Sequence, residues 1–158
     1  MMKKGLLSLA LCFTAALLMG QKVITIKTFT KQRADTTELQ LVFDIAPGMH
    51  VYAPTSLNQS QGYIVMKLEI DSIPEGLRLL PGHQWPEAGF AGGSEVYTGE
   101  GHMIICRFTG NVKKAPGLIK GNLHFQACNE EMCFPPQEKT FEVTLQKQSS
   151  KKKKKQQP

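Results

Sequence analysis

The sequence lacks several features that would point to common classes of function. Its 158 residues include four cysteines and one tryptophan. No glycine-rich, phosphate-binding turn links a strand to a helix, and no long segment repeats apolar residues at helical spacing. Only one apolar run approaches the length of a membrane span, and it lies at the N-terminus. These absences argue against a P-loop enzyme, a helical bundle and a protein with several membrane spans.

The N-terminal apolar run has the organisation of a secretory signal. Lys3 and Lys4 precede an uncharged run that is followed by Gly20, after which cleavage is expected. We therefore predict that residues 1–20 are a signal peptide and that Cys12 is removed with it. A lipoprotein is disfavoured because no small residue stands directly before Cys12. The mature protein is expected to be soluble in the periplasm or another exported compartment, where disulfides form.

The formal charge of +6 is carried by the two ends of the chain. Removing Lys3, Lys4 and the run Lys151–Lys155 from the 19 basic side chains leaves 12, against 13 acidic ones. A nearly neutral body argues against a nucleic-acid-binding face. Residues 148–158 are predicted to form a disordered Lys-rich tail, with weak contact to an anionic membrane surface as the alternative.

Six segments alternate apolar and polar residues with a period of two, as half-buried strands do. They are KVITIKTF, ELQLVFDI, YIVMKLEI, HMIICRF, GLIKGNLHFQA and KTFEVTLQ. In the third segment, Ile64, Met66, Leu68 and Ile70 are predicted to share the buried face. Six to eight strands predict a single all-β domain over residues 21–147, an immunoglobulin-like antiparallel β-sandwich. Residues 46–62 and 80–101, which are rich in turn formers, are expected to be loops.

Three cysteines remain after the predicted signal, and their positions suggest one pair and one isolated thiol. Cys106 lies on the apolar face of the HMIICRF strand, so we expect it to be buried and inert. Cys128 and Cys133 are five positions apart, and the chain must turn between them for the sulfurs to meet. Asn129 suits such a turn. We predict a Cys128–Cys133 disulfide and a reduced Cys106.

The short loop between the paired cysteines favours a bridge that exchanges over a bridge that stabilises the fold. A loop of about six residues contributes only about 2 kcal/mol on the chain-entropy estimate, against more than about 4 kcal/mol for a domain-spanning loop. Pro135 and Pro136 cannot donate to a sheet ladder, which puts the second cysteine at an edge that a partner thiolate can reach. The alternative is a secreted binding module, with a structural bridge and a recognition loop around Trp85 and Tyr97. Zinc is disfavoured because the pair and His124 supply at most three ligands.

The segment FQACNEEMCFPP resembles a signature of the N-terminal periplasmic domain of the thiol:disulfide interchange protein DsbD, also described as a disulfide bond corrector domain. The signature is an aromatic, any residue, a small residue and Cys, then a short acidic loop, then Cys, an aromatic and two prolines. PGMHVYAP and FAGGSEVY are similar to two further segments of that family. The resemblance covers roughly residues 22–146.

The resemblance implies an immunoglobulin-like domain whose redox pair is Cys128 and Cys133, with Cys133 forming the mixed disulfides. Phe90 is implied to cap the pair. The residues implied to line the site are Tyr52, His50 and Phe134. The chain departs from the family at Ala88 and Gly89, where an acidic pair is common, and at His50, where an aromatic is common, so acid–base assistance from those positions is not expected.

The resemblance also implies an activity, that of a thiol:disulfide oxidoreductase of the protein-disulfide reductase type. Members of the family take electrons from a thioredoxin-like protein fed by a membrane electron transporter. They pass them to periplasmic disulfide isomerases or to thioredoxins of cytochrome c maturation. We expect those partners to be separate polypeptides, and the domain to be a monomer without metal or cofactor.

Overall fold

A computed structural model describes residues 22–33, 35–110, 112 and 117–145, where it contains eleven β-strands and one short helix. The elements are β1 (Ile24–Arg33), β2 (Thr36–Ile45), β3 (His50–Tyr52), α1 (Ser56–Ser60), β4 (Lys67–Ser72), β5 (Leu77–Leu79), β6 (Gly89–Ala91), β7 (Ser94–Tyr97), β8 (His102–Gly110), β9 (Gly117–Phe125), β10 (Ala127–Cys128) and β11 (Gln137–Leu145). The predicted signal peptide and Lys-rich tail lie outside the described residues.

The strands form three hydrogen-bonded sheets in which every pair of neighbouring strands is antiparallel. Two larger sheets have the strand orders β1-β2-β8-β5 and β11-β9-β4. A small sheet has the order β10-β3-β7-β6 and carries the candidate site. Buried side chains from all three sheets pack into one hydrophobic cluster. The predicted immunoglobulin-like β-sandwich is confirmed.

β2 and β8 supply the centre of the core because buried residues alternate with more exposed ones along both strands. Along β2 every second residue is buried, and Leu39, Leu41 and Phe43 are fully inaccessible to solvent. The neighbouring strand β8, which is paired with β2 in the same sheet, contributes Ile104 and Phe108, also fully buried. Burying one side chain of this size is worth about 1.5–3 kcal/mol relative to leaving it exposed. These two strands therefore fix the interior against which the other elements pack.

All six predicted strands are present, but the third begins later than the sequence pattern indicated. β4 starts at Lys67, and Ile64, which was predicted to be buried, is 46% exposed. The reason is that Val65 forms a parallel bridge with Tyr52, so the chain before β4 runs beside the small sheet. Residues 63–65 thus contribute to the surroundings of the candidate site.

Five strands of two to four residues were not predicted, because each is too short to display a period of two. Two of them, β6 and β7, form a hairpin inside a segment that was predicted to be a loop. Gly92 and Gly93 make its two-residue turn with φ values of +58° and +82°. Two consecutive positive φ values are typical of the type I′ turn that matches strand twist. The two glycines therefore form the turn of a hairpin and not an irregular loop.

Gly121 in β9 occupies a position where a side chain has no room. A Cβ atom there would lie 2.7 Å from Cζ of Phe141 and even closer to the main-chain oxygen of Glu69. We expect Gly121→Ala to lower the free energy of unfolding by about 1–3 kcal/mol, measured by urea denaturation. The matched control is Gly89→Ala, because a Cβ at Gly89 would meet its nearest atom, the oxygen of Val96, at 3.6 Å. Equal losses in both variants would contradict the close approach around Gly121.

Candidate functional site

The two predicted redox cysteines lie at the tip of a long hairpin made by β9 and β11. The regular ladder of this hairpin reaches the pair formed by Phe125 and Gln137. Beyond it, Gln126 on one side faces Pro135 and Pro136 on the other. One residue opposite two is a β-bulge, a position that tolerates prolines because they have no N–H to donate. The bulge lets β10 leave the sheet of β9 and β11 and pair with β3.

Three hydrogen bonds hold the tip of the hairpin together. The main-chain N–H of Phe134 donates to the oxygen of Ala127 at 2.8 Å, and that of Asn129 donates to the oxygen of Met132 at 2.9 Å. The side-chain amide of Gln126 donates to the oxygen of Phe134 at 2.9 Å. Gln126 thus supports the bulge, a role that sequence reasoning missed because no pattern distinguishes this glutamine.

The disulfide joins Cys128 and Cys133, as predicted, and their Cα atoms are 3.9 Å apart. The two residues face each other between the two main-chain hydrogen bonds of the tip, in the non-hydrogen-bonded position where paired strands come closest. Among the described cysteines only Cys106 is free, and it is fully buried. Burial raises the pKa of the Cys106 thiol to about 12, which keeps it protonated and unreactive.

Asn129 forms the turn between the two cysteines. Its side-chain oxygen accepts hydrogen bonds from the main-chain N–H groups of Glu131 at 2.9 Å and Met132 at 2.7 Å. This Asx-type arrangement confirms the predicted turn. Glu130 and Glu131 lie exposed at its tip, and each is within three residues of both cysteines.

The two sulfur-bearing residues differ sharply in exposure. Cys128 is 1% exposed, whereas Cys133 lies in an exposed run with Met132, Pro135 and Pro136. In the described part of the chain, no strand pairs with the outer side of Cys133. The exposed side of the disulfide is therefore the side of Cys133.

The rings of His50, Tyr52 and Tyr63 form a row that begins beside the buried Cys128. His50 on β3 is the register partner of Cys128, so their side chains share one face of the small sheet with Cβ atoms about 4.5–5.5 Å apart. The rings of His50 and Tyr52 meet edge to face with centroids 5.5 Å apart. Tyr63 stacks on Tyr52 with centroids 4.1 Å apart. Tyr63 was missed because the period of two had placed it on a strand.

Burial shifts the titration of two rings in this row. It lowers the pKa of His50 from its ordinary value of 6.5. Burial, followed by the neighbouring Tyr63, raises the pKa of Tyr52. Both shifts favour the uncharged forms of His50 and Tyr52.

Phe90 stands apart from the disulfide in this oxidised structure. It lies on β6 with 70% of its surface exposed, while β10 is at the opposite edge of the same sheet. Three strand spacings separate these edges, about 14 Å. The base of the β6–β7 hairpin is held by Asn58, whose side chain exchanges hydrogen bonds of 2.6 and 3.1 Å with the main chain of Glu95. The capping role of Phe90 stays a prediction.

The alternative interpretation, a binding module, placed Trp85 and Tyr97 in a recognition loop, but Tyr97 is not available for recognition. Tyr97 is 1% exposed, and its hydroxyl donates to the main-chain oxygen of Pro86 at 3.0 Å. Trp85 is half-buried and packs against the core cluster. Tyr97 therefore belongs to the interior, because its ring completes the packing around Phe43, where the centroids are 5.6 Å apart.

Comparison with known proteins identifies a family for nearly the whole described region. The sequence profile described as "Thiol:disulfide interchange protein DsbD, N-terminal" matches residues 14–145. No curated protein gives a significant match. No helix in the described residues is long and apolar enough to cross a membrane.

Solved structures are similar to this chain at low sequence identity. The N-terminal periplasmic domain of ScsB from Proteus mirabilis is 12% identical with a TM-score of 0.50, and the match covers 82% of this chain and 48% of that one. The reduced DsbD N-terminal domain of Neisseria meningitidis is 26% identical over 82% of this chain and 91% of that one, with a TM-score of 0.36. The complex of the DsbD and PilB N-terminal domains from the same organism gives 18% identity over 85% and 95% and a TM-score of 0.43. The ScsB domain supports the fold.

Proposed function

We propose that this chain, which belongs to the family of N-terminal domains of the thiol:disulfide interchange protein DsbD, is an exported thiol:disulfide oxidoreductase that works through Cys128 and Cys133. Thiol–disulfide interchange is the reaction for which the family is named. The observation that carries the proposal is the asymmetric disulfide, with one cysteine buried and the other at an open edge. A bridge that only stabilised a fold would gain nothing from this exposure.

The exchange would proceed through Cys133. A partner thiolate attacks the sulfur of Cys133, a new S–S bond forms, and the bond to Cys128 breaks with its electron pair left on the Cys128 sulfur. A second partner thiolate then attacks the partner sulfur of the mixed disulfide. The partner leaves oxidised, and the thiolates left on Cys128 and Cys133 take up the two protons that the partner thiols gave up, which leaves the pair as two thiols. In the opposite direction the reduced pair passes its two electrons to an oxidised acceptor.

Partners of the thioredoxin type suit this surface because they present a reactive cysteine to an exposed sulfur. We propose that a thioredoxin-like donor, itself supplied by a membrane electron transporter, reduces the pair. Periplasmic disulfide isomerases or cytochrome c maturation proteins are the proposed acceptors. The predicted signal peptide, residues 1–20, supports an exported location.

Charge at the turn favours a pair that acts as a reductant. Glu130 and Glu131 are exposed beside the disulfide, and negative charge disfavours a nearby thiolate. A dithiol whose thiolate is not stabilised gives up its electrons more readily than the dithiol of a strong oxidant. No lysine or arginine lies between residues 127 and 138 to offset the two carboxylates.

Single-cysteine variants test the proposed function. Cys128→Ser leaves the exposed Cys133 thiol, and Cys133→Ser leaves the buried Cys128 thiol. We expect the first to form a mixed disulfide with a thioredoxin carrying one activated active-site cysteine at least about tenfold faster, because only an accessible thiol can attack. Non-reducing electrophoresis measures the product, in a Cys106→Ala background as control. Equal rates would remove the proposed asymmetry, and no product from either variant would contradict the function.

Phe90→Ala tests the predicted cap. If the β6–β7 hairpin folds over the reduced pair, removing the ring should speed oxidation of the two thiols by hydrogen peroxide about two- to tenfold, since a moving cover slows access without abolishing it. Phe29→Ala is the matched control, because Phe29 is also an exposed aromatic, 53% accessible, on β1 of another sheet. An unchanged oxidation rate in Phe90→Ala would rule out shielding.

A further inference from the structure

Cys128 is buried, and its thiol needs a nearby proton acceptor in order to react. When the reduced protein has formed a mixed disulfide at Cys133, the Cys128 thiol must lose its proton to attack and release the partner. In the disulfide form Cys128 is 1% exposed, and a main chain that stays in place in the intermediate would keep bulk water away from that proton. A proton acceptor must therefore come from a neighbouring side chain. This reasoning rests on the exchange function proposed above.

His50 is the one titratable side chain in register with Cys128 on the neighbouring strand. The two residues face each other across the β3–β10 ladder and share one face of the sheet. Its aromatic neighbour Tyr52 contacts the ring edge to face, which limits how far the imidazole can rotate. A side chain placed in this way can reach the sulfur of the facing residue.

The other ionisable groups near His50 are poor candidates. Along the row, burial and Tyr63 raise the pKa of Tyr52, which keeps its hydroxyl protonated at neutral pH and so unable to take the proton. On β7, Tyr97 is the register partner of Val51 and so points to the opposite face, as does Glu95 two residues before it.

The hairpin tip offers no better acceptor for this proton. Its only carboxylates belong to Glu130 and Glu131, which lie at the exposed turn. No charged group contributes to the shift of the His50 pKa, which burial alone lowers. The imidazole is therefore neutral at neutral pH and has a free lone pair.

We propose that His50 is the proton acceptor for Cys128 in the step that releases the partner. The proton moves from the Cys128 thiol to an imidazole nitrogen of His50, and the resulting thiolate attacks the sulfur of Cys133. The Cys128–Cys133 bond forms, the bond from Cys133 to the partner breaks, and the electron pair leaves on the partner's sulfur as a thiolate. His50 then returns its proton to solvent. In reverse, the imidazolium protonates Cys128 as it leaves.

The two steps can be separated with an aromatic disulfide, 5,5′-dithiobis(2-nitrobenzoate), added to reduced protein. Attack by Cys133 releases one thionitrobenzoate, and attack by Cys128 on the mixed disulfide releases a second. Cys128→Ser, which can release only one, assigns the phases. The measurement uses a Cys106→Ala background, and stopped-flow absorbance follows both phases across a range of pH.

We expect His50→Gln to slow the second phase about a hundredfold at neutral pH and to leave the first nearly unchanged, as loss of a general base would. In the parent protein the second phase should rise with pH through a pKa below 6.5, the ordinary value from which burial lowers that of His50. In the variant it should rise only as the thiol itself ionises. His50→Phe keeps an aromatic ring against Tyr52 and should show the same loss. His124→Gln on β9, outside the small sheet, should change neither phase.

Other outcomes would contradict either the role of His50 or the proposed exchange function. An unchanged second phase in His50→Gln, or equal slowing of both phases, would overturn the role of His50 while leaving exchange at the cysteine pair intact. Full activity in His50→Phe would show that the ring packs and does not accept a proton. Absence of any first phase in the parent protein would overturn the proposed function, and the role of His50 with it.

Discussion

The bulge in the β9–β11 hairpin is the constraint on which the candidate site depends. Without the extra residue opposite Gln126, the tip would continue in the sheet of β9 and β11, and β10 would not meet β3. The bulge thus brings Cys128 opposite His50 and leaves Cys133 on the outer edge. Pro135 and Pro136 fit the bulge without loss of a hydrogen bond, because the positions they occupy need no N–H donor.

Different physical forces govern the sandwich and the site. The sandwich is held by apolar side chains that alternate along long strands, and its stability follows mainly from burial. The site is built from strands of two to four residues whose geometry depends on individual hydrogen bonds, such as those of Gln126 and Asn58. Accessibility therefore varies within a few residues, from the buried Cys128 to the exposed Cys133.

The sequence could predict the long strands, the disulfide and its turn, because each has a local signal. Alternation marked β2, β8 and β11, and the spacing of the cysteines with Asn129 between them marked the hairpin tip. The row of His50, Tyr52 and Tyr63 could not be derived in the same way, because it depends on pairings between segments distant in the chain. The misplacement of Ile64 has the same origin, since a bridge between Val65 and Tyr52 overrides the local pattern.

Cys128 and Cys133 are proposed to form a pair that exchanges with partner thiols. The reduction potential of the pair, measured by equilibration with a thioredoxin of known potential, tests that claim most directly. We expect ready exchange and a potential between about −200 and −300 mV, in the range of reducing thioredoxin-type proteins. A bridge that thioredoxin does not reduce, with a potential well below about −300 mV, would identify a structural disulfide and contradict the claim. A potential near about −120 mV, typical of a strong periplasmic oxidant, would reverse the proposed direction of electron flow.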